Sequence, residues 1–186
     1  MSIIFNETNI SGLFTAKPHS FSDERGDYIK YYERDSFCEI GITDEITESS
    51  EITSLKGVLR GLHFQIGKSQ IKIAHVVKGS VFDVCVDLRE ESNTFGRVFY
   101  QILSAENKDM LIIPAGFAHG FLALQDCVFS YSCIGKYEPA LCNAIKWDDP
   151  ELCIPWPKLD IENLIVSEKD NNAMSFKQYC YEFTGK

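Results

Sequence analysis

The feature that most constrains this chain is a succession of short apolar or alternating runs between about residues 55 and 147, most of them closed by a turn signal. Ile71-Lys72-Ile73-Ala74-His75-Val76-Val77 ends at Lys78-Gly79, and Val81-Phe82-Asp83-Val84-Cys85-Val86-Asp87-Leu88 begins at once, its acids at period-related positions. Runs from Arg97 to Leu103, Asp109 to Pro114, Gly120 to Leu124 and Cys127 to Ile134 follow. β-Branched and aromatic residues punctuated by Gly, Pro, Asn and Asp favour strands over helices. Strands at this spacing predict an all-β sandwich, jelly roll or barrel. Short helices are predicted around Arg34–Glu39 and Leu159–Leu164. The simplest organisation is one domain, with an N-terminal arm over about 1–55, a β-barrel core over about 56–147 and a C-terminal tail over about 148–186.

The net charge of −9 leaves no basic excess to meet the phosphates of a nucleic acid or an anionic membrane, so neither is expected as a partner. A phosphate-bearing small ligand needs two or three placed cations and stays open. No apolar run approaches the roughly 18 residues that span a bilayer, and the first residues lack a leader pattern, so a cytoplasmic location is expected. The seven cysteines, at 38, 85, 127, 133, 142, 153 and 180, form no C-x-x-C pair and no zinc-like spacing. Cys85 and Cys127 lie in apolar runs and are expected to be reduced, buried small hydrophobes.

The four histidines can be weighed singly. A metal-dependent cupin-type barrel needs two histidines close together on one strand, and no H-x-H exists here, so no metal site is expected. His19 carries no specific signal. His75, between Ile73 and Val77 on its strand face, is expected to be a satisfied core or interface residue. His63 and His119 each stand beside glycine and aromatics, in Arg60-Gly61-Leu62-His63-Phe64-Gln65 and Pro114-Ala115-Gly116-Phe117-Ala118-His119-Gly120-Phe121. Glycines admit close approach of a ligand and aromatics wall a dry pocket. Arg60 and His63 are three apart, so a regular strand points them to opposite sides, and a bend or bulge is needed to bring both to one pocket. Spacing alone leaves a structural and a functional role open for both histidines.

Eight segments, in order, carry a resemblance over nearly the whole chain. They are Phe21–Gly26, Val58–Gln65, Gly79–Arg89, Ser92–Gly96, Leu103–Asn107, Ile113–Phe121, Trp147–Pro150 and Ser167–Asp170. With these the chain resembles the dTDP-4-dehydrorhamnose 3,5-epimerase family of cupin-like sugar-nucleotide epimerases. The resemblance implies an all-β double-stranded β-helix (a jelly roll, the RmlC-like cupin) with short peripheral helices. It further implies a homodimer with exchanged N-terminal strands and a nucleotide-diphosphate 4-keto-6-deoxy sugar as substrate. A C4 ketone acidifies the protons on both neighbouring carbons, so inversion needs a base, an enolate stabiliser and an acid on the opposite face, and no cofactor. By the resemblance His63 is the base, Asp170 its dyad partner, Lys72 the group at the enolate oxygen and Tyr131 the acid. Arg25, Arg60, His119, Tyr137, Lys169 and Gln65 are implied as substrate contacts.

Departures from the family cluster on one part of the substrate. The Q-x-N stretch some ten residues before R-G-L-H, implied to meet the thymidine end, reads Glu48-Ser49-Ser50-Glu51 here. A glutamate after D-x-R-G is replaced by Lys30, and one after the Y-x-P turn by Cys142. Exchanging neutral amides for carboxylate and hydroxyl changes the donor and acceptor pattern offered to a base. The first expectation is epimerisation of dTDP-4-dehydro-6-deoxy-D-glucose at C3, C5 or both. The competitors are a GDP- or CDP-linked 4-keto sugar such as a 6-deoxy-heptose, a 4-keto sugar isomerase on the same barrel, and a non-catalytic sugar-nucleotide-binding protein.

Overall fold

The computed structural model describes residues 2–67, 69–160 and 164–185. The strands are β1 (Ile4–Glu7), β2 (Phe14–Lys17), β3 (His19–Asp23), β4 (Gly26–Lys30), β5 (Ile46–Ser54), β6 (Val58–Gln65), β7 (Ile71–Lys78) and β8 (Ser80–Asp87). They continue with β9 (Val98–Ser104), β10 (Met110–Ile113), β11 (Phe117–Ala123), β12 (Cys127–Ile134), β13 (Cys142–Ala144) and β14 (Ile165–Val166). The helices are α1 (Arg34–Glu39), α2 (Glu168–Asn171) and α3 (Phe176–Phe183).

One sheet runs β1-β2-β10-β7-β12-β5 and the other β13-β6-β11-β8-β9, with β14 also paired to β6. Together they form the jelly roll. Alternation along β8 shows how the sequence encodes three layers. Val81 and Cys85 face the core between the sheets, while Phe82, Val84 and Val86 face a second core on the outside of their sheet. A strand covered on both faces reads as a nearly continuous apolar run, and so β8 does. Asp83 and Asp87 share the inward face, and both are fully buried.

The second core is closed by the C-terminal tail, through Leu152, Tyr179 and the half-buried Trp147, Trp156 and Phe176. A third core lies outside the first sheet, where Phe37 of α1 meets Ile73, Met110 and Ile112. The expected N-terminal arm is more than an arm, because β1, β2 and β5 are strands of the first sheet. Its alternation was concealed in β5, Ile46–Ser54, where Thr, Ser and Glu fill both faces. The helix expected at Arg34–Glu39 is present as α1. The one expected at Leu159–Leu164 is not helical at 159, 160 or 164, and residues 161–163 lie outside the described ones. Pro155 and Pro157 hold the preceding chain extended, and Leu159 and Leu164 pack on the second core instead.

His75 differs from the satisfied residue expected. Its ring stacks on Tyr31 at 3.7 Å, yet its Nδ1 is buried with no hydrogen-bond partner among the described residues. Burial pushes its pKa down to about 4. The folded chain therefore binds fewer protons than the unfolded chain between about pH 6.5 and 4, and His75 costs stability as pH falls through that window. Urea unfolding of wild type and His75→Phe at pH 7 and pH 5 is expected to show the variant losing on the order of 2 kcal/mol less on acidification. Equal losses in the two proteins would assign the acid sensitivity elsewhere.

Candidate active site

The site is organised by a bulge between β6 and β11. His119 pairs with His63 and Phe121 with Arg60, so three steps along β6 match two along β11. The bulge occurs where two glycines stand back to back. A Cβ on Gly61, at φ +122°, would lie 2.6 Å from Gly120 Cα, and one on Gly120 would lie 2.5 Å from the Arg60 carbonyl oxygen. The extra residue brings Arg60 and His63 to one cavity, the geometry a regular strand could not provide.

Two adjoining cavities open inside the barrel. The larger, about 410 Å³, is walled by His63, Lys72 and Tyr131 and reaches outward to Tyr137, Gln65 and Lys169. The smaller, about 160 Å³, shares the first three residues and adds Arg60 and His119. Asp170 lies behind His63, buried, and its Oδ1 is 2.7 Å from His63 Nε2. Its other oxygen accepts a hydrogen bond from the Gly61 N–H at 3.3 Å. Asp170 is placed by α2, whose N-cap Ser167 accepts from the Asp170 N–H. The distance in sequence is thus closed by a capped helical turn resting on β6.

His63 comes from one sheet, and Lys72 and Tyr131 come from neighbouring strands of the other, β7 and β12. The imidazole and the hydroxyl consequently face each other across the cavity. Burial lowers the pKa of His63, with the Asp170 hydrogen bond and charge opposing. A neutral imidazole able to accept a proton results. Burial raises the pKa of Tyr131, which keeps it protonated and able to donate. Burial lowers that of Lys72, while the charge of Asp83 nearby opposes the shift.

Nine of the ten expected site residues converge here. Arg60 is braced by Ser54 Oγ at 3.1 Å and the Thr53 carbonyl at 3.3 Å. Gln65 accepts the Glu138 N–H at 2.8 Å, so it also holds the loop that carries Tyr137. Arg25 stands apart, on the exposed β3–β4 hairpin, its guanidinium bound to Asp23. Of the departures, Glu48, Ser50 and Cys142 line the larger cavity, whereas Lys30 pairs with Glu33 on the hairpin side. Glu48 accepts from Gln70 Nε2 at 3.3 Å and from the Cys133 thiol.

Sequence reasoning missed Asp83, whose two oxygens each lie 2.9 Å from His119 Nε2. A charged residue recurring on the inward face of an apolar strand was the available signal.

The family model for dTDP-4-dehydrorhamnose 3,5-epimerase matches residues 7–178. The chain belongs to the dTDP-4-dehydrorhamnose 3,5-epimerase family. The family's enzyme from Methanothermobacter thermautotrophicus is 43% identical over 169 residues, covering 90% of this chain and 91% of the relative. A dTDP-6-deoxy-D-glucose 3,5-epimerase from Legionella pneumophila, solved with dTDP-4-keto-L-rhamnose, superposes with a TM-score of 0.92 at 39% identity, covering 97% of this chain and 96% of that one. A 3′-monoepimerase from Streptomyces bikiniensis, solved with dTDP-quinovose, gives a TM-score of 0.84 at 32% identity, covering 92% and 87%. Double and single epimerases thus both occur among the family's solved structures.

Asp170 raises the affinity of His63 for a proton and orients its ring. Asp170→Asn is expected to lower kcat by about 100-fold or more and to move the acid limb of the kcat/KM profile to lower pH. An unmoved acid limb would show that His63 is not the titrating base.

Proposed function

We propose that the chain is an isomerase that inverts C3, C5 or both in a nucleotide-diphosphate 4-keto-6-deoxy sugar, with dTDP-4-dehydro-6-deoxy-D-glucose as first substrate. The observation that carries this is the opposition of His63 and Tyr131 across one cavity, which Lys72 lines from the strand beside that of Tyr131. His63 removes the proton beside the C4 ketone. The electrons move onto the ketone oxygen, where the Lys72 ammonium stabilises the enolate in a dry site. Tyr131 returns a proton from the other face. The Asp170 carboxylate stabilises the imidazolium formed meanwhile. No step calls for an added cofactor or metal.

Deuterated buffer separates the roles. Wild type is expected to place solvent deuterium at each inverted carbon with the ketone still at C4, which distinguishes epimerisation from carbonyl migration. His63→Ala is expected to lose exchange and inversion together. Tyr131→Phe is expected to keep exchange, because His63 can return a proton to the face it came from, while inversion falls by about 100-fold. Full exchange in His63→Ala would overturn the assignment of the base.

A second reading concerns the nucleotide, because Glu48, Ser50 and Cys142 change the cavity wall while the reacting residues stand. A carboxylate accepts the paired N–H donors of guanine or the amino group of cytosine, and it repels the carbonyls flanking the single N–H of thymine. Titration with dTDP, GDP and CDP decides, and tight binding of dTDP alone would remove this reading.

The homodimer with exchanged N-terminal strands is also proposed. Phe21 and Tyr28 are each 57% exposed on a hairpin whose Arg25 stays outside this chain's own cavity. A hairpin reaching a partner's cavity would put that guanidinium to use on a diphosphate. Seven cysteines that form no disulfide fit a reducing, cytoplasmic setting. No helix among the described residues is long and apolar enough to cross a membrane.

A further inference from the structure

Asp83 and Cys85 are two apart on β8 and so share its inward face, and His119 is the cross-strand partner of Cys85 on β11. All three are buried, and their donor atoms lie within 4.8 Å of one another. Asp83 Oδ1 is 3.9 Å from Cys85 Sγ and 2.9 Å from His119 Nε2. We propose that this triad is a binding site for a thiophilic divalent cation, Zn²⁺ first, and that its occupation inhibits the enzyme.

A nitrogen, a sulfur and an oxygen form the borderline-soft donor set that zinc selects. With bonds of about 2.0–2.3 Å in a tetrahedral array, donors stand roughly 3.3–3.8 Å apart, so the triad need adjust by only about 1 Å. His119 also lines the smaller cavity, which gives the ion a route inward and leaves the fourth position for water. Binding forms a zinc–sulfur bond as the Cys85 thiol releases its proton to solvent, and the His119 proton leaves Nε2 for Nδ1. A lone thiolate in this dry interior is costly, but ion, thiolate and carboxylate together are neutral. That neutrality makes the site tenable beside the Lys72 ammonium, which lines the same cavity. Sequence spacing concealed the site because its members meet across strands, not along one.

An occupied triad fixes His119 on the ion and draws Asp83 away from Lys72, so substrate binding and enolate stabilisation both suffer. The inhibitory half rests on the proposed epimerase activity, whereas the binding half does not. Calorimetry on the whole chain is expected to give one high-affinity Zn²⁺ that wild type holds and Cys85→Ala does not, with an enthalpy that depends on the buffer because a proton is released. Mg²⁺ and Ca²⁺ are expected to do nothing, since they prefer all-oxygen sites.

Cys85 lies outside the reacting set, so Cys85→Ala is expected to keep basal activity. Losing a ligand should raise the Zn²⁺ concentration for half-inhibition by about 100-fold, at the top of the range seen when even outer partners are lost. Cys85→Val repeats the test if alanine leaves the barrel unstable. Co²⁺ supplies a readout independent of activity, a thiolate charge-transfer band present in wild type and lost in Cys85→Ala. Equal inhibition of wild type and Cys85→Ala would place the ion elsewhere, for instance at His63 and Asp170, and overturn the proposal. So would wild type that takes up no Zn²⁺, whereas an inactive chain that still binds Zn²⁺ through Cys85 would fault the activity alone.

Discussion

The contact on which the site depends is the close approach of Gly61 and Gly120, two residues without side chains to separate their strands. Any Cβ there would collide with main chain, so β6 and β11 could not keep both their pairing and their bulge. The bulge turns Arg60 and His63 to one cavity and sets His119 directly opposite His63. The same Gly61 gives its N–H to Asp170, the residue that orients His63. Backbone geometry, His63 and Asp170 therefore form one unit, and a change at either glycine reaches the His63–Asp170 pair without touching either side chain.

Charge in the barrel follows from what surrounds each group. Asp83 and Asp87 are both fully buried on one face of β8, but their neighbours differ. Asp87 is bound by Arg89, Ser92 and Thr94, and those bonds outweigh its burial and hold its pKa low, so it anchors the β8–β9 turn. Among the described residues Asp83 has His119 alone as a side-chain partner within normal hydrogen-bond length, and it lies near Lys72. One carboxylate is thereby structural and the other is part of the electrostatics of the cavity. A buried charge with few partners costs stability, and here it helps keep the Lys72 ammonium charged.

Much of the fold was legible, because alternating runs and turn signals from β6 to β12 need no tertiary information. Helix α1 was legible as well. The strand β5 was not, since its Thr, Ser and Glu residues give little hydrophobic contrast, and its pairing with β12 decides its state. α3 was hidden by the aromatic residues crowding it, and Leu159 and Leu164, whose spacing mimicked a helix, pack on the second core without being helical. At the site, residue words supplied His63, Lys72, Tyr131 and Asp170. Cross-strand relations were the missing part: Asp83 beside His119, and the bulge that Arg60 and His63 required, exist only once β6, β8 and β11 are paired.

The places where the chain departs from its family follow the same division. The expected site residues on β6, β7, β11 and β12 are held by paired main chain, each in a register that a neighbour on either side also needs. Glu48 and Ser50 sit on β5, at the edge of its sheet, and Cys142 begins β13, at the edge of the other. An edge position has one neighbour to satisfy instead of two, so its side chain can change with less cost to pairing. Glu48 shows how such a change is absorbed, by taking hydrogen bonds from Gln70 and Cys133. The barrel thus sets His63, Lys72, Tyr131 and His119 on inner strands, each with two neighbours to satisfy, and leaves part of the cavity rim to edge strands, where a side chain can change at less cost to pairing.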